Sequence, residues 1–349
     1  MNDTLIQMGP AADLPPISEI FRWGIDVIKL IQRIESPALT AIMKVITALG
    51  TELLYLPLIL FIFWWIDEKQ GLRLGILIIV SAWINALVKD IFKQPRPFNF
   101  EPALGLAHEG TYGAPSGHAQ FSLCFWVPMA AWLSSLLEKP TWKRPIIWTG
   151  AILFILLMGF TRLYLGVHFP TDLLFGWLLG GIILLVYFTA GPYLDKLAAG
   201  VSFRKRNICV AALALAMNSV YPADRSLPAL FLGFCIGYNL MKKHFPFCAR
   251  SNGKRPGIVV MLGRCMTGFA GVVLIYLGLR LIFPGDGSLF ADIPIWGQAS
   301  PFYELGRFIR YTLVGLWASA GAPWIFGRLG LAPRLAPDKI AENSSGENS

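Results

Sequence analysis

Runs of about 20 mostly apolar residues recur along this chain, the length a helix needs to cross the hydrocarbon of a bilayer. Their approximate cores fall at 53–66, 72–92, 118–136, 146–165, 172–193, 207–221, 227–241, 257–283 and 308–327. The runs at 53–66 and 207–221 are short and must borrow flanking residues or tilt. The fold class expected is therefore all-α, a polytopic transmembrane helical bundle of about nine spans.

Composition removes the competing classes. Of 349 residues, 55% are hydrophobic and 15% charged, against about 25% charged in ordinary soluble domains, so neither a soluble enzyme nor a disordered chain fits. Cysteines number five, an odd count, and Cys124, Cys209, Cys235 and Cys265 lie inside apolar runs, which argues against a disulfide framework. The formal net charge of +9 does not imply nucleic acid, because the Lys and Arg lie between apolar runs and form no aromatic-interleaved stripe. The expected partner is the bilayer.

The organisation expected is an N-terminal amphipathic segment at 1–50, a transmembrane core at 51–193, accessory transmembrane helices at 194–330 and a disordered cytoplasmic tail at 331–349. Residues 19–35 mix Glu19, Arg22, Asp26, Lys29, Arg33 and Glu35 with Ile, Phe, Leu and Trp23, which suits a helix lying at the interface. They lack the continuous apolar centre and cleavage site of a secretory signal.

Most loop cations fall in the turns at 67–73, 137–145, 194–206 and 242–256 and in the tail, the face that the positive-inside rule makes cytoplasmic. The opposite, outer face carries three unusual stretches. One span ends in Lys89 and runs to Arg96 between Pro95 and Pro97, which stop the helix. Pro115-Ser116-Gly117-His118 opens the next span, and Arg162 to Asp172, containing His168, joins the following pair. Individually each has an ordinary reading: Lys89 as a snorkelling cation, Ser116 as a helix N-cap, His168 and Asp172 as a structural pair. Together they put two of the chain's four histidines beside Lys89, Arg96 and Arg162 at one depth, and ionisable residues there are functional by default.

The chemistry these types suit is phosphoryl transfer. Lys89, Arg96 and Arg162 offer fixed positive charge and forked donors for phosphate oxygens. Ser116 and Gly117 begin a helix whose free backbone N–H groups make an anion seat. His168 is the candidate nucleophile, oriented and polarised by Asp172 one helical turn on. His118 is the candidate acid that protonates the leaving oxygen and the base that then activates water.

The arrangement Lys-x6-Arg-Pro, Pro-Ser-Gly-His, Arg-x5-His-x3-Asp resembles the type 2 phosphatidic acid phosphatase superfamily. That group includes lipid phosphate phosphatases, bacterial undecaprenyl pyrophosphate phosphatases, glucose-6-phosphatases and vanadium haloperoxidases. The resemblance covers about residues 50–193 and departs only in Thr161, where the family often has Ser. It implies the family's helical catalytic core, a lipid phosphate or pyrophosphate substrate, and the same residue roles: Lys89, Arg96, Ser116, Gly117 and Arg162 on phosphate, and His118, His168 and Asp172 in catalysis. It also implies metal-independent hydrolysis without a cofactor, and no His/carboxylate cluster with metal-ligand spacing is left over in the sequence. The four spans beyond 193 are similar in number to those of the sphingosine-1-phosphate phosphatase and glucose-6-phosphatase branches.

Two alternatives remain at this stage. One is a phosphotransferase passing the phosphohistidine group to an acceptor lipid; the other is a non-catalytic transporter or scaffold that keeps the fold. A bacterial inner membrane with the site on the periplasmic face is the expected location, and an endoplasmic reticulum protein with a lumenal site would look similar. His108 and Glu109 read as surface loop residues, with substrate gating as the alternative. Glu52 reads as an interfacial helix start, and Phe290, Trp296, Phe302 and Tyr303 as an aromatic belt.

Overall fold

The computed structural model describes residues 17–137, 142–250, 255–283 and 302–332, and among them there is no strand. Such an outcome is what hydrocarbon demands, since a helix satisfies its backbone hydrogen bonds within one segment. Helices α1 (Glu19–Ile31) and α2 (Pro37–Ala48) precede the apolar runs. The runs themselves become α3 (Glu52–Phe61), α4 (Glu68–Phe92), α6 (Gly117–Ser135), α7 (Lys143–Tyr164), α8 (Pro170–Gly200), α9 (Phe203–Val220), α10 (Ser226–His244), α11 (Ile258–Ile282), α12 (Tyr303–Leu316) and α13 (Ala322–Arg328), with a single turn of helix, α5 (Pro97–Phe100), after α4. A π-type turn at Ile62–Ile66 extends α3, and another at Trp317–Gly321 joins α12 to α13.

All nine expected runs are thus helical, but four helical stretches are both long and apolar enough to cross a bilayer: Glu68–Phe100, α7, α8 and α11. The count of nine spans is not established by that measure. In α6 the shortfall has a physical reason, because Gln120 and Ser122 dilute its hydropathy yet are fully buried against protein. Two expected turns also shrink. The turn at 67–73 reduces to Asp67, whose Oδ1 accepts from the Gln70 amide at 2.9 Å and starts α4. Within 194–206, α8 runs on through Leu194, Leu197 and Ala198, good helix formers, leaving only Val201 and Ser202 before α9. The side chain of Glu52, the loop aromatics Phe290 and Trp296, and the tail from 333 lie outside the described residues.

Packing divides the chain into two units, residues 1–56 with 81–192 and residues 57–80 with 193–349. In the first unit the N-terminal segment does more than skirt an interface. One face of α1 buries Ile25 and Ile28 against Leu104 and Phe169, and the Phe21 ring stacks on Phe169 with centroids 4.7 Å apart. On α2, Met43 joins Tyr164, Leu165 and Val167 in a second cluster. Fully burying a side chain of this size contributes about 2 kcal/mol, so both helices brace the α7–α8 turn. That turn relies on Gly166, at φ +67°, where a Cβ would also collide with the Leu104 carbonyl.

Deeper in the same unit a buried polar network ties α4 to α6. Asn85 Nδ2 donates to Gln120 Oε1 at 2.8 Å, and Gln120 Nε2 donates to Ser81 Oγ at 2.8 Å and to the Ser81 carbonyl at 2.9 Å. Because leaving any of these amides unpaired in a dry interior is costly, the network fixes the rotation of α4 relative to α6. In the second unit, the buried Arg264 guanidinium donates to the carbonyls of Trp64, Ala249 and Leu331 at 2.7–3.0 Å. It pins three chain segments without any carboxylate.

Candidate active site

Five helix ends of the first unit meet at one place. Lys89 lies in the last turn of α4, Arg96 caps α5, Ser116 precedes α6, Arg162 lies in the last turn of α7, and Asp172 lies in the first turn of α8. Close approach of α8 to the start of α6 requires Gly176, since a Cβ there would stand 2.5 Å from the Ser116 carbonyl oxygen. The Ser116 amide in turn donates to the Asp172 carbonyl at 3.0 Å.

Arg96 is 1% exposed and uses every nitrogen. Its Nε donates to the Thr111 carbonyl at 2.6 Å, one terminal nitrogen to the Val167 carbonyl at 2.8 Å, and the other to the Tyr112 carbonyl at 3.0 Å and Thr111 Oγ1 at 3.1 Å. The Val167-bound nitrogen also faces His168 Nε2 at 3.3 Å. Lys89 Nζ shares the Tyr112 carbonyl, donating to it at 2.6 Å. Arg162, 2% exposed, donates to Thr47 Oγ1 at 2.6 Å, and that same nitrogen lies 3.5 Å from His118 Nε2.

A guanidinium can only donate, so the His168 Nε2 beside Arg96 carries a lone pair and the ring proton sits on Nδ1. Nδ1 faces Asp172 Oδ2 at 3.3 Å. Asp172 is fully buried and itself held, Oδ2 accepting from the Phe169 amide at 2.8 Å and Oδ1 from Gln94 Nε2 at 2.5 Å. His168 is 1% exposed. Its burial, followed by the charges of Arg96, Arg162 and Lys89 and by His118, holds its pKa well below the ordinary imidazole value, so the ring is neutral at physiological pH.

Two buried donors here have no partner: Ser116 Oγ and Arg162 Nε. Ser116 stands at the N-cap of α6, yet its side chain makes no capping bond. The simplest reading of a Ser before a helix therefore does not describe it. Gly117 opens α6, with Phe121 and Asn85 so close that a Cβ would lie 3.2 and 3.3 Å from them. All eight residues singled out from the sequence, Lys89, Arg96, Ser116, Gly117, His118, Arg162, His168 and Asp172, are thus gathered in one unit, around buried cations with spare donors.

Two further participants, Thr47 and Gln94, had no sequence signal, and a third, Glu109, was expected to be a surface loop residue with substrate gating as the alternative. Thr47 enters from α2, Gln94 from the end of α4, and Glu109 from an irregular loop. Glu109 bridges the two arginines, Oε2 lying 2.8 Å from Arg96 and Oε1 in direct contact with Arg162, and is therefore not an ordinary surface residue. The attraction of two desolvated guanidiniums draws it in, a cause invisible in residue order. His108 instead packs its ring against Phe98, centroids 5.1 Å apart.

Buried cations and imidazoles gathered among the ends of apolar helices mark the candidate site of an integral membrane protein. The chain belongs to the PAP2 superfamily, as its three motifs imply: residues 70–196 match the PAP2 superfamily and residues 226–334 match the PAP2 superfamily phosphatase transmembrane extension. The helices from α10 onward thus have a counterpart in the family. Sphingosine-1-phosphate phosphatase 2 of Mus musculus is 26% identical over 81% of this chain and 86% of its own length. Phosphatidylglycerophosphatase B of Bacillus subtilis is 32% identical, covering 47% of this chain and 79% of that protein. Undecaprenyl-diphosphatase of Sulfolobus acidocaldarius is 30% identical, over 46% and 75% respectively.

Proposed function

We propose that this protein hydrolyses the phosphomonoester or diphosphate headgroup of a membrane lipid through a phosphohistidine on His168, without a metal ion. The observation that carries the reading is the pair of buried guanidiniums flanked by imidazole nitrogens, Arg96 with His168 Nε2 and Arg162 with His118 Nε2. A phosphoryl group seated there has its non-bridging oxygens on Arg96, Arg162, Lys89 and the Ser116–Gly117 end of α6, which spread and stabilise its transition-state charge.

In the first step the Nε2 lone pair attacks phosphorus and the bond to the lipid oxygen breaks as His118 gives that oxygen a proton. Asp172 holds the Nδ1 proton and stabilises the imidazolium. In the second, His118 takes a proton from water, whose oxygen attacks phosphorus and breaks the P–N bond, releasing inorganic phosphate; with a diphosphate the phosphorus attacked is the terminal one and the leaving oxygen is that of the inner phosphate. The lipid tail stays in the bilayer while the headgroup enters from the membrane plane. By the cation count the site faces away from the cytoplasm, the periplasmic side in a bacterial inner membrane.

The names of the relatives support a lipid substrate: a long-chain-base phosphate, a phosphatidylglycerophosphate and a polyprenyl diphosphate. The test is phosphate release from these three classes by the detergent-purified chain, with no acceptor present and His168→Ala as control. Turnover that His168→Ala abolishes, in a protein that still elutes as a folded species, is the expected result. Full activity in His168→Ala removes the nucleophile assignment, and activity only when an acceptor lipid is added favours transfer over hydrolysis.

A further inference from the structure

We infer that Glu109 is a built-in competitor for the phosphate seat, a carboxylate that closes the cup at rest and sets the charge an incoming headgroup needs to open it. The inference rests on the phosphatase reading above and deepens it. Each carboxylate oxygen occupies one of the two arginines, Oε2 on Arg96 at 2.8 Å and Oε1 on Arg162. These are the donors through which the site grips a phosphate, and a carboxylate and a phosphate present similar paired oxygens to guanidinium groups. One anion must leave before the other binds.

Glu109 is also placed to leave. The two arginines are nearly sealed, at 1% and 2% exposure, whereas the Glu109 side chain is 28% exposed and sits in a stretch without regular structure between η-type turn Pro102–Leu104 and α6. Its release uncovers two guanidiniums that otherwise carry an unpaired buried charge, so opening is favourable only when another anion takes its place.

This exchange explains how a cationic cup survives in a membrane. Bulk phospholipid headgroups are phosphodiesters with a single negative charge, present in vast excess over any substrate. A phosphomonoester carries about 1.5 to 2 negative charges at pH 7. Apparent affinity equals intrinsic affinity reduced by the fraction of cup that is open, and a self-closing cup applies that reduction to every ligand. A monoanionic diester gains too little from the arginines to displace the carboxylate, while a near-dianionic terminal phosphate gains enough. Glu109 thus sets the threshold of affinity that an anion must exceed to occupy the seat, acting through the two arginines and not as a group in the reacting chemistry.

The test compares wild type with Glu109→Gln and Glu109→Asp in mixed micelles containing a lipid phosphomonoester, using dimethyl phosphate and inorganic phosphate as competing anions. Glu109→Gln is expected to lower the inhibition constants of dimethyl phosphate and of inorganic phosphate by a common factor of about tenfold, because the closed fraction taxes every anion alike. KM for the lipid substrate falls with them. Glu109→Asp keeps the charge on a stem too short to bridge both arginines and should tighten both inhibitors by a smaller factor; its inhibition constants decide the matter if Glu109→Gln does not fold. Unchanged or weaker inhibition, or a raised KM, in the folded variants overturns the inference and makes Glu109 a clamp that positions the arginines. The underlying reading is tested apart from this: it fails if His168→Ala or Arg162→Lys turns over normally, whereas loss of turnover in those variants with unmoved inhibition in the Glu109 variants sinks the competitor role alone.

Discussion

Arg96 and His168 face each other across 3.3 Å, a terminal guanidinium nitrogen against the imidazole Nε2. The lone pair that would attack phosphorus is therefore occupied by the same cation that would bind the phosphate. On the proposed mechanism, substrate entry would exchange the imidazole nitrogen at the guanidinium for a phosphate oxygen and so free His168 Nε2 as its target arrives. Binding and activation become one event.

Arg162→Lys tests whether the second guanidinium is a shape or merely a charge. Arg162 reaches Thr47, Glu109 and the neighbourhood of His118 with one planar fork, and an ammonium cannot occupy all three directions. A fall in kcat/KM of about 100-fold is expected, the usual loss when one preorganised donor is removed. Wild-type kinetics from purified Arg162→Lys would take the residue out of the phosphate site.

Ser116→Ala separates capping from substrate binding. The Ser116 hydroxyl is buried with no partner, so its removal takes no hydrogen bond from the folded protein. Thermal stability should stay at or slightly above wild type while kcat/KM drops about tenfold, the worth of one hydrogen bond made to substrate. A destabilised protein with normal kinetics would restore the capping role.

The pH dependence follows from the sign of the His168 shift. Burial and the surrounding cations hold its pKa well below the ordinary imidazole value, so the ring loses its proton at a lower pH than an exposed histidine. Attack needs the unprotonated Nε2, and activity is lost as pH falls through the lowered value. Rapid-quench measurement of phosphoenzyme formation should show a rate still on its plateau at pH 6.5, declining only further into acid. An acid limb at or above 6.5 would assign the essential unprotonated group to a different residue.

Chelation probes the mechanism from another side. On the proposed reading, Lys89, Arg96 and Arg162 would supply the electrostatic stabilisation that a metal provides elsewhere. Phosphate release should persist in millimolar EDTA at a rate close to the untreated sample. Loss of activity restored by adding back a divalent cation contradicts the metal-free route.

What residue order alone determined is the helical fold class, the family, and which residues carry its motifs. Apolar runs of spanning length announce helices because hydrocarbon permits little else, and Lys89, Arg96, Ser116, His118, Arg162, His168 and Asp172 stand at the ends of those runs with distinctive spacing. A residue type with a costly place in a membrane is conspicuous without coordinates. Tertiary structure decided the remainder, because those contacts arise between elements far apart in sequence. Thr47 meets Arg162 across 115 positions, Gln94 meets Asp172 across 78, and Glu109 joins the two arginines. None has a spacing rule, since each is set by how helices pack and by where desolvated charge draws a flexible loop. The same limit applies to α1 and α2, whose amphipathic pattern fits a lipid interface and a protein groove equally well. Only the Phe169 and Leu165 clusters show that part of their apolar face, Ile25 and Ile28 of α1 and Met43 of α2, packs on the turn that carries His168.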